Sequence, residues 1–245
     1  MITAITLTGD RPLAFGLCFK WMQNQVIKPD QWIVVDDGKE PIQDTFGFEY
    51  VRREPKINDP KHTMLLNLNE AVSRIQFSKI LIIEDDEYYH PNYIKEMSTR
   101  LDKYEIVGIG QSKYYHLPTG GWVSHKNFNH ASFAQTGFKN TVLPEISRLL
   151  AWQDMFIDAK LWARYFKDYK QNKYECIMAN GRGLIFSEQD TPLYCGIKGL
   201  PGRSGIGIGH RESIYHAFDD PSRSILRRWI PENYQDYLDV LERTK

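Results

Sequence analysis

The residues with the clearest chemistry in this chain are four consecutive acids, Glu84-Asp85-Asp86-Glu87, directly after the apolar run Ile80-Leu81-Ile82-Ile83. A β-branched apolar run reads as a buried strand. Four adjacent carboxylates repel one another and add nothing to such a strand. They become tolerable at the mouth of a sheet if a divalent cation binds there, and an oxygen-only set suits Mg²⁺ or Mn²⁺ rather than Zn²⁺. A solvated strand end followed by a turn is the other reading of an isolated acidic run. Two further strand ends carry polar signatures, Thr8-Gly9-Asp10-Arg11 and Asp36-Asp37-Gly38. Asp-Asp-Gly alone is ordinary turn chemistry. Three such ends on one edge of one sheet point instead to a site for a phosphorylated nucleotide with a divalent metal, because ligands of open α/β sheets lie beyond the carboxyl ends of the strands.

The elements that must position these groups alternate along the chain. A strand over residues 2–7 gives way to a helix opened by Pro12, with Leu13, Leu17, Trp21 and Met22 at helical spacing. Pro29-Asp30 ends that helix, and a strand over residues 31–35 follows. A short strand is expected at 48–52, a helix at 63–75, the acid-tipped strand, a helix from Tyr93 to about Leu101, and a strand at 105–110. This order predicts an α/β fold with a parallel sheet. Neither Gly-x-Gly-x-x-Gly nor Gly-Lys-Ser/Thr follows the first strand, which excludes the dinucleotide and Walker fingerprints. Gly205-Ile206-Gly207-Ile208-Gly209 reads as a loop or strand near a ligand.

Composition narrows the class. The 245 residues suffice for one large α/β domain or two small ones. Lys+Arg 31 against Asp+Glu 31 gives no global charge to steer the chain to nucleic acid or an anionic membrane. Cys18, Cys176 and Cys195 are odd in number and widely spaced, so reduced core positions are expected rather than disulfides or zinc. No stretch approaches the ~20 apolar residues that span a bilayer. A cytoplasmic protein is the expectation.

In this order the elements resemble the nucleotide-sugar-dependent glycosyltransferases of the GT-A fold, in particular the large family 2 group. The resemblance is carried by Leu7-Thr8-Gly9-Asp10-Arg11-Pro12, Val35-Asp36-Asp37-Gly38, Leu68-Asn69-Glu70-Ala71, and Glu84-Asp85-Asp86-Glu87 with Pro91 four residues on. It covers roughly the first 100 residues. It implies a GT-A, Rossmann-like, mostly parallel sheet flanked by helices, with an acceptor-side region in the second half. Residues 1–110 would form the nucleotide-sugar-binding half, 111–220 the acceptor-binding and catalytic half of the same domain, and 221–245 a helical tail. By the resemblance, Thr8, Asp10, Arg11 and Asn69 would line the nucleotide pocket and Asp36 or Asp37 would bond the base. Asp86 would hold Mn²⁺ or Mg²⁺, with Glu84 and Asp85 reaching metal or ribose, while Glu87 faces water. A basic residue upstream of the Asn69 helix belongs to the pattern; only Lys61 and His62 stand nearby.

The second half is less patterned. Residues 112–128 are rich in aromatics, read as a long loop folded over its own rings or as a stacking surface for a sugar or base. Asp154 and Asp158 read as acids at a helix N-terminus. The resemblance makes Asp190 the candidate catalytic base and Glu188 its reserve, where Ser187 and Asp190 also fit a capping box. His210, in a glycine-rich setting, would complete the metal site, with Arg203 and Arg211 on diphosphate oxygens; His216 lies six residues beyond it. The tail from Pro231 reads as an amphipathic helix with Tyr234, Leu238 and Leu241 on its buried face.

The expected activity is therefore metal-dependent transfer of a sugar from a nucleoside diphosphate-sugar, UDP-sugar first, to an acceptor hydroxyl, with inversion if Asp190 is the base. A nucleotidyltransferase would carry a glycine-rich, lysine-containing loop after the first strand, and none is present. Two alternatives remain: a transferase acting on hydroxymethylated pyrimidines in DNA, and a non-catalytic nucleic-acid module using Arg223, Arg227, Arg228 and Trp229.

Overall fold

The computed structural model describes residues 1–153, 156–187, 192–203, 205, 210–215 and 218–243. In chain order the elements are β1 (Ile2–Thr8), α1 (Pro12–Asn24), β2 (Gln31–Asp36), β3 (Glu49–Arg52), α2 (Met64–Val72), β4 (Lys79–Ile82), β5 (Tyr88–Tyr89), α3 (Tyr93–Lys103) and β6 (Ile106–Ile109). The second half adds β7 (Gln111–His116), β8 (Trp122–Lys126), β9 (Thr136–Lys139), α4 (Leu143–Ala151), α5 (Ile157–Tyr165), β10 (Lys170–Gln171), β11 (Glu175–Met178), β12 (Gly183–Phe186), β13 (Tyr194–Lys198), α6 (Ser224–Trp229) and α7 (Tyr234–Arg243).

A nine-stranded sheet runs β10-β11-β12-β6-β9-β4-β1-β2-β3. Its β3-β2-β1-β4 half is wholly parallel, as is the β12-β6 pair, while β9 is wedged antiparallel between β4 and β6. Period-two alternation sends Ile33, Val35, Ile80 and Ile82 to one face, under α2, α4 and α5. Trp32, Val34, Leu81 and Ile83 go to the other, under α1 and α3. Strands covered on both faces need no polar alternation, which is why β2 and β4 carry the apolar runs Trp32–Val35 and Ile80–Ile82, while the buried Thr3 and Thr6 of β1 are satisfied by Gln31 and Trp32.

A second sheet of four strands, β5-β13-β7-β8, packs with α6, α7 and the far side of α1 around Trp21, Tyr88, Tyr115 and Trp229. The chain passes from the large sheet to the small one three times, at β4→β5, β6→β7 and β12→β13. At β6→β7 the pivot is Gly110, where a Cβ would strike the Asn127 carbonyl and Ile185. The acids of residues 84–87 occupy the first of these crossings, so they lie at the junction of the two sheets.

Two expectations change here. Residues 112–128 are not a loop folded over itself: β7 and β8 pair antiparallel from Gln111↔Lys126 to Tyr115↔Trp122. Alternation along that hairpin buries Tyr115 completely. In α7 the buried face is Tyr237 and Val240, with Tyr234 and Leu238 at its margins. Trp21 Nε1 donates to Tyr237 Oη at 2.8 Å and fixes that rotation. All three cysteines are buried and free. Among the described residues no helix is long and apolar enough to cross a membrane.

Candidate active site

At the carboxyl edge of the parallel strands lies a cavity of about 840 Å³, lined by Thr8, Gly9 and Arg11 after β1, Thr63 and Asn67 at α2, and all four acids after β4. Its opposite wall comes from the second half: Ser112, Tyr114, His125, Lys126, His130, the first turn of α5, Lys198, His210 and Arg211.

The β1 turn and the acid cluster are tied directly. Thr8 Oγ1 donates to Asp85 Oδ2 at 2.6 Å, and Arg11 Nη1 donates to Asp85 Oδ1 at 2.7 Å. The same Nη1 lies 3.1 Å from Asp86 Oδ2. Asp85 is thus held between two groups of the β1 turn, with one oxygen taken by each. Glu84, Asp86 and Glu87 each place one oxygen within 4.8 Å of the others. That is an all-oxygen donor set of the kind hard divalent cations take.

Charge supports the fit. Four carboxylates face two buried cations, Arg11 and Lys198, and Glu84 has no cationic partner within 4.0 Å among the described residues. Burial raises Glu84 to about 8, with Asp86 and Glu87 adding repulsion. Burial also raises Glu87 to about 7, although the Lys198 ammonium opposes it. Burial would raise Asp86 too, but Lys198, Arg11 and His210 outweigh it and hold this acid below its ordinary value. Asp86 is therefore the member kept ionised by its surroundings. The residues present fit a divalent cation.

Glu87 does not face water. Its carboxylate is buried, accepting the Ile197 N–H at 2.6 Å and an ion pair from Lys198. Lys198, at the end of β13, is 4% exposed. Burial alone would discharge it, yet Glu87, Asp86 and Glu84 raise its pKa and keep it an ammonium. It was invisible in the sequence because its partner is 111 positions away.

The Asp36-Asp37 pair divides into two roles. Asp36 accepts from Gly38 N at 2.8 Å, Ile42 N at 3.1 Å and Tyr50 Oη at 2.9 Å, so its oxygens are spent on the β2–β3 connection. Asp37 meets Arg53 and Arg203, and its pKa is lowered to about 2 because the hydrogen bonds and charge of these partners overcome burial. Neither aspartate lines the cavity; Gly9 does, and a Cβ there would overlap the Arg203 guanidinium and Asp37. Arg203 also donates to Thr63 Oγ1 at 3.0 Å and its carbonyl accepts from Arg11. Asp10, exposed at φ 57°, accepts the Lys39 N–H at 2.7 Å and bridges the ends of β1 and β2 rather than lining the cavity.

Of the two asparagines of α2, the cavity takes Asn67 and not Asn69. Asn69 is exposed on α2, whereas Asn67 is buried, lines the cavity and accepts from Arg53. Arg53 is the basic group upstream of that helix, bridging Asn67, Asp37 and Asp59. The doubled arginine closing β3 was its only sequence signal. His210 and Arg211 both line the cavity. Burial and Lys198 lower His210 to about 4 despite the nearby Asp86, leaving a neutral imidazole, though it lies outside the tight trio of acid oxygens. Asp154, Glu188, Asp190 and His216 lie outside the described residues. Trp229, assigned to a nucleic-acid surface, is instead 4% exposed and packs edge-on against Trp122 at 5.6 Å.

No protein-family model and no curated protein matches the chain. Solved structures do. Staphylococcus aureus TarS 1-349 superposes on 80% of this chain and 60% of its own, with TM-score 0.51 and 13% identity. Its complex with UDP-GlcNAc gives TM-score 0.51, 11% identity and coverage of 82% and 60%. Its complex with UDP gives 0.52, 12%, 80% and 60%. The chain thus spans about 60% of the length of those TarS chains. A Pyrobaculum calidifontis mannosyltransferase with GDP-Man and Mn²⁺ matches 59% of this chain and 46% of its own at 12% identity, with a TM-score of 0.42, too loose to carry an argument. The sheet order, the acid-tipped strand at its carboxyl edge and the TarS superpositions together show that this chain has the GT-A fold of nucleotide-sugar glycosyltransferases.

Proposed function

We propose that this protein is a metal-dependent glycosyltransferase that moves a hexose from a nucleoside diphosphate-sugar, a UDP-sugar first, to an acceptor hydroxyl. One observation carries the reading: three carboxylate oxygens converge within 4.8 Å at the tip of β4, facing a large cavity at the carboxyl edge of a GT-A sheet. TarS, which shares the fold, is seen with UDP and with UDP-GlcNAc.

Asp86, with Glu84, would hold Mg²⁺ or Mn²⁺, which when bound supplies Lewis-acid stabilisation of the charge on the departing diphosphate. Arg11 positions Asp86 and Asp85 and brings a fixed positive charge to the same edge. Lys198 adds a second, pinned by Glu87 so that it costs little reorganisation when the leaving group forms. Arg211 and the neutral His210 stand on the cavity wall facing these groups. Asp190, in the β12→β13 crossing, is the proposed base: it takes the acceptor proton on the face opposite the leaving group and gives inversion.

A thermal-shift series of UDP-, GDP- and other nucleotide sugars, with Mn²⁺ and with EDTA, tests the donor. At a ligand concentration of about 100 times Kd, stabilisation of roughly 2.7 kcal/mol is expected with metal only; stabilisation by no nucleotide sugar would discard the reading. Asp190→Asn is expected to abolish transfer while the donor-induced shift stays at the wild-type value. Normal transfer by that variant would move the base elsewhere.

A further inference from the structure

The cations of the cavity differ between its two sides. On the deep side each is matched to acids: Arg11 to Asp85 and Asp86, Lys198 to Glu87, Arg203 to Asp37. At the outer wall, the exposed Lys126 has no carboxylate within 4.0 Å among the described residues, and the imidazoles of His125 and His130 line the cavity beside it. Asp158 is the acid lining that side, and its Oδ1 accepts the Ala159 N–H at 2.8 Å. A neutral glycan has no use for an unmatched lysine at the mouth of the cavity; an anion does.

The unmatched charge continues out of the cavity. Lys126 Nζ donates to the Lys173 carbonyl, linking the end of β8 to the β10–β11 turn. The Tyr174 ring has two ammonium groups beside it, Lys126 Nζ at 5.9 Å and Lys173 Nζ at 5.2 Å from its centre. The turn is set in advance, because Asn172 Oδ1 accepts both the Tyr174 N–H at 2.8 Å and the Glu175 N–H at 2.9 Å. Tyr174 is nonetheless 41% exposed. Beyond it opens a second recess of about 610 Å³, which Tyr174 lines together with His90, Asn92 and Arg100. The acids of that recess are Glu96, paired to Arg100 at 2.6 Å, and Glu175.

We propose that the acceptor is a single strand of nucleic acid that crosses Tyr174, between Lys173 and Lys126, into the cavity. A base stacks on Tyr174, its flanking phosphates meet Lys126 and Lys173, and the next nucleotide enters past His125 and His130. Alternating aromatic faces and cations is the pattern that holds single strands, since every base offers a π-face and every linkage a charge. A base-free phosphate polymer would use the lysines and leave Tyr174 idle. The chemical step rests on the transferase reading above. A hydroxyl of the entering nucleotide bonds to C1 of the donor sugar, the C1–O bond to the nucleoside diphosphate breaks with its electron pair, and the hydroxyl proton passes to the base.

The test is fluorescence anisotropy of a labelled single-stranded oligodeoxynucleotide on the full chain, with inorganic polyphosphate as competitor and UDP binding measured in parallel. The oligonucleotide is expected to bind at low salt, with polyphosphate of equal charge competing at least tenfold less well. Tyr174→Ala weakens it about tenfold, and Tyr174→Phe binds as wild type. Lys126→Gln and Lys173→Gln each reduce the log–log salt slope by about 0.7. UDP affinity stays unchanged in Tyr174→Ala and Lys173→Gln. Equal competition by polyphosphate, wild-type binding by Tyr174→Ala, or no binding at low salt would overturn the strand. Strand binding with these properties, but no response to any nucleotide sugar, would keep the strand site and remove the transferase reading instead.

Discussion

Replacing Asp86 by asparagine is expected to lower kcat/KM for sugar transfer about 10³-fold and to erase the Mn²⁺-dependent thermal shift produced by UDP. Asparagine keeps the shape and one oxygen but loses the charge that a divalent cation needs. A loss of ~4 kcal/mol of transition-state stabilisation corresponds to that factor. The effect falls on Asp86 rather than on Asp85 or Glu87 because those two have other duties. Asp85 is committed to Thr8 and Arg11, and Glu87 to Lys198 and the Ile197 N–H. Metal-free unfolding of the variant should be easier than that of wild type at neutral pH, since Arg11 and Lys198 lose an acid that they hold ionised. Nucleotide release from the donor, followed with Mn²⁺ titrated across a wide range, reads both parts. Wild-type turnover by Asp86→Asn would move the metal to another acid. Asn69→Ala, exposed on α2, is the control and should transfer as wild type.

The second large effect is on stability. Lys198→Met removes the cation from a buried pair and leaves Glu87 uncompensated, a change that costs about 3–5 kcal/mol when one partner of such a pair is deleted. Methionine fills the stem's volume, so the loss is electrostatic. The cost must depend on pH. Glu84 and Glu87 have folded-state pKa values raised to about 8 and about 7. Groups raised in this way contribute stability that is complete below their unfolded values and is lost as pH rises through the folded ones. In EDTA the wild type is therefore expected to lose stability between about pH 4.5 and pH 8. Lys198→Met should lose more over the same interval and approach wild type at its acid end. Adding Glu87→Gln should restore much of the loss at pH 8. Urea unfolding at both ends of the range measures all three chains. A Lys198→Met cost independent of pH would mean that packing, not charge, holds this junction.

Much of this arrangement was legible in local sequence. Buried strands announce themselves by short runs rich in β-branched residues, so β1, β2 and β4 and the acids that follow β4 needed no tertiary information. The same holds for α1 and α3, whose apolar residues recur at helical spacing. Where the reading depended on rotation about an axis, small offsets misled. Asn67 and Asn69 are two residues apart, which on a helix is about 200°, enough to exchange cavity for solvent. Tyr237 and Val240, rather than Leu241, took the buried face of α7 for a similar reason: the core beside the small sheet set the rotation, not the helix. The aromatic stretch after β6 was misread as a loop because a hairpin half-buried between two layers shows only weak alternation.

By itself, then, the sequence determined the kind of groups at the site: hard oxygen donors at the end of one strand, polar turns at the ends of two others, and an α/β order that puts all three on one edge. It could do so because strand burial and turn chemistry are short-range. Only the tertiary structure decided what each acid does. Lys198 reaches Glu87 across 111 residues, and Arg203 reaches Asp37 across 166. Those long-range cations turn Asp37 and Glu87 into parts of the frame, while Arg11 takes up Asp85. Coulomb energy in a buried junction depends on distances that no local pattern encodes, and it is this distribution of partners that leaves Asp86 and Glu84 open to the cavity.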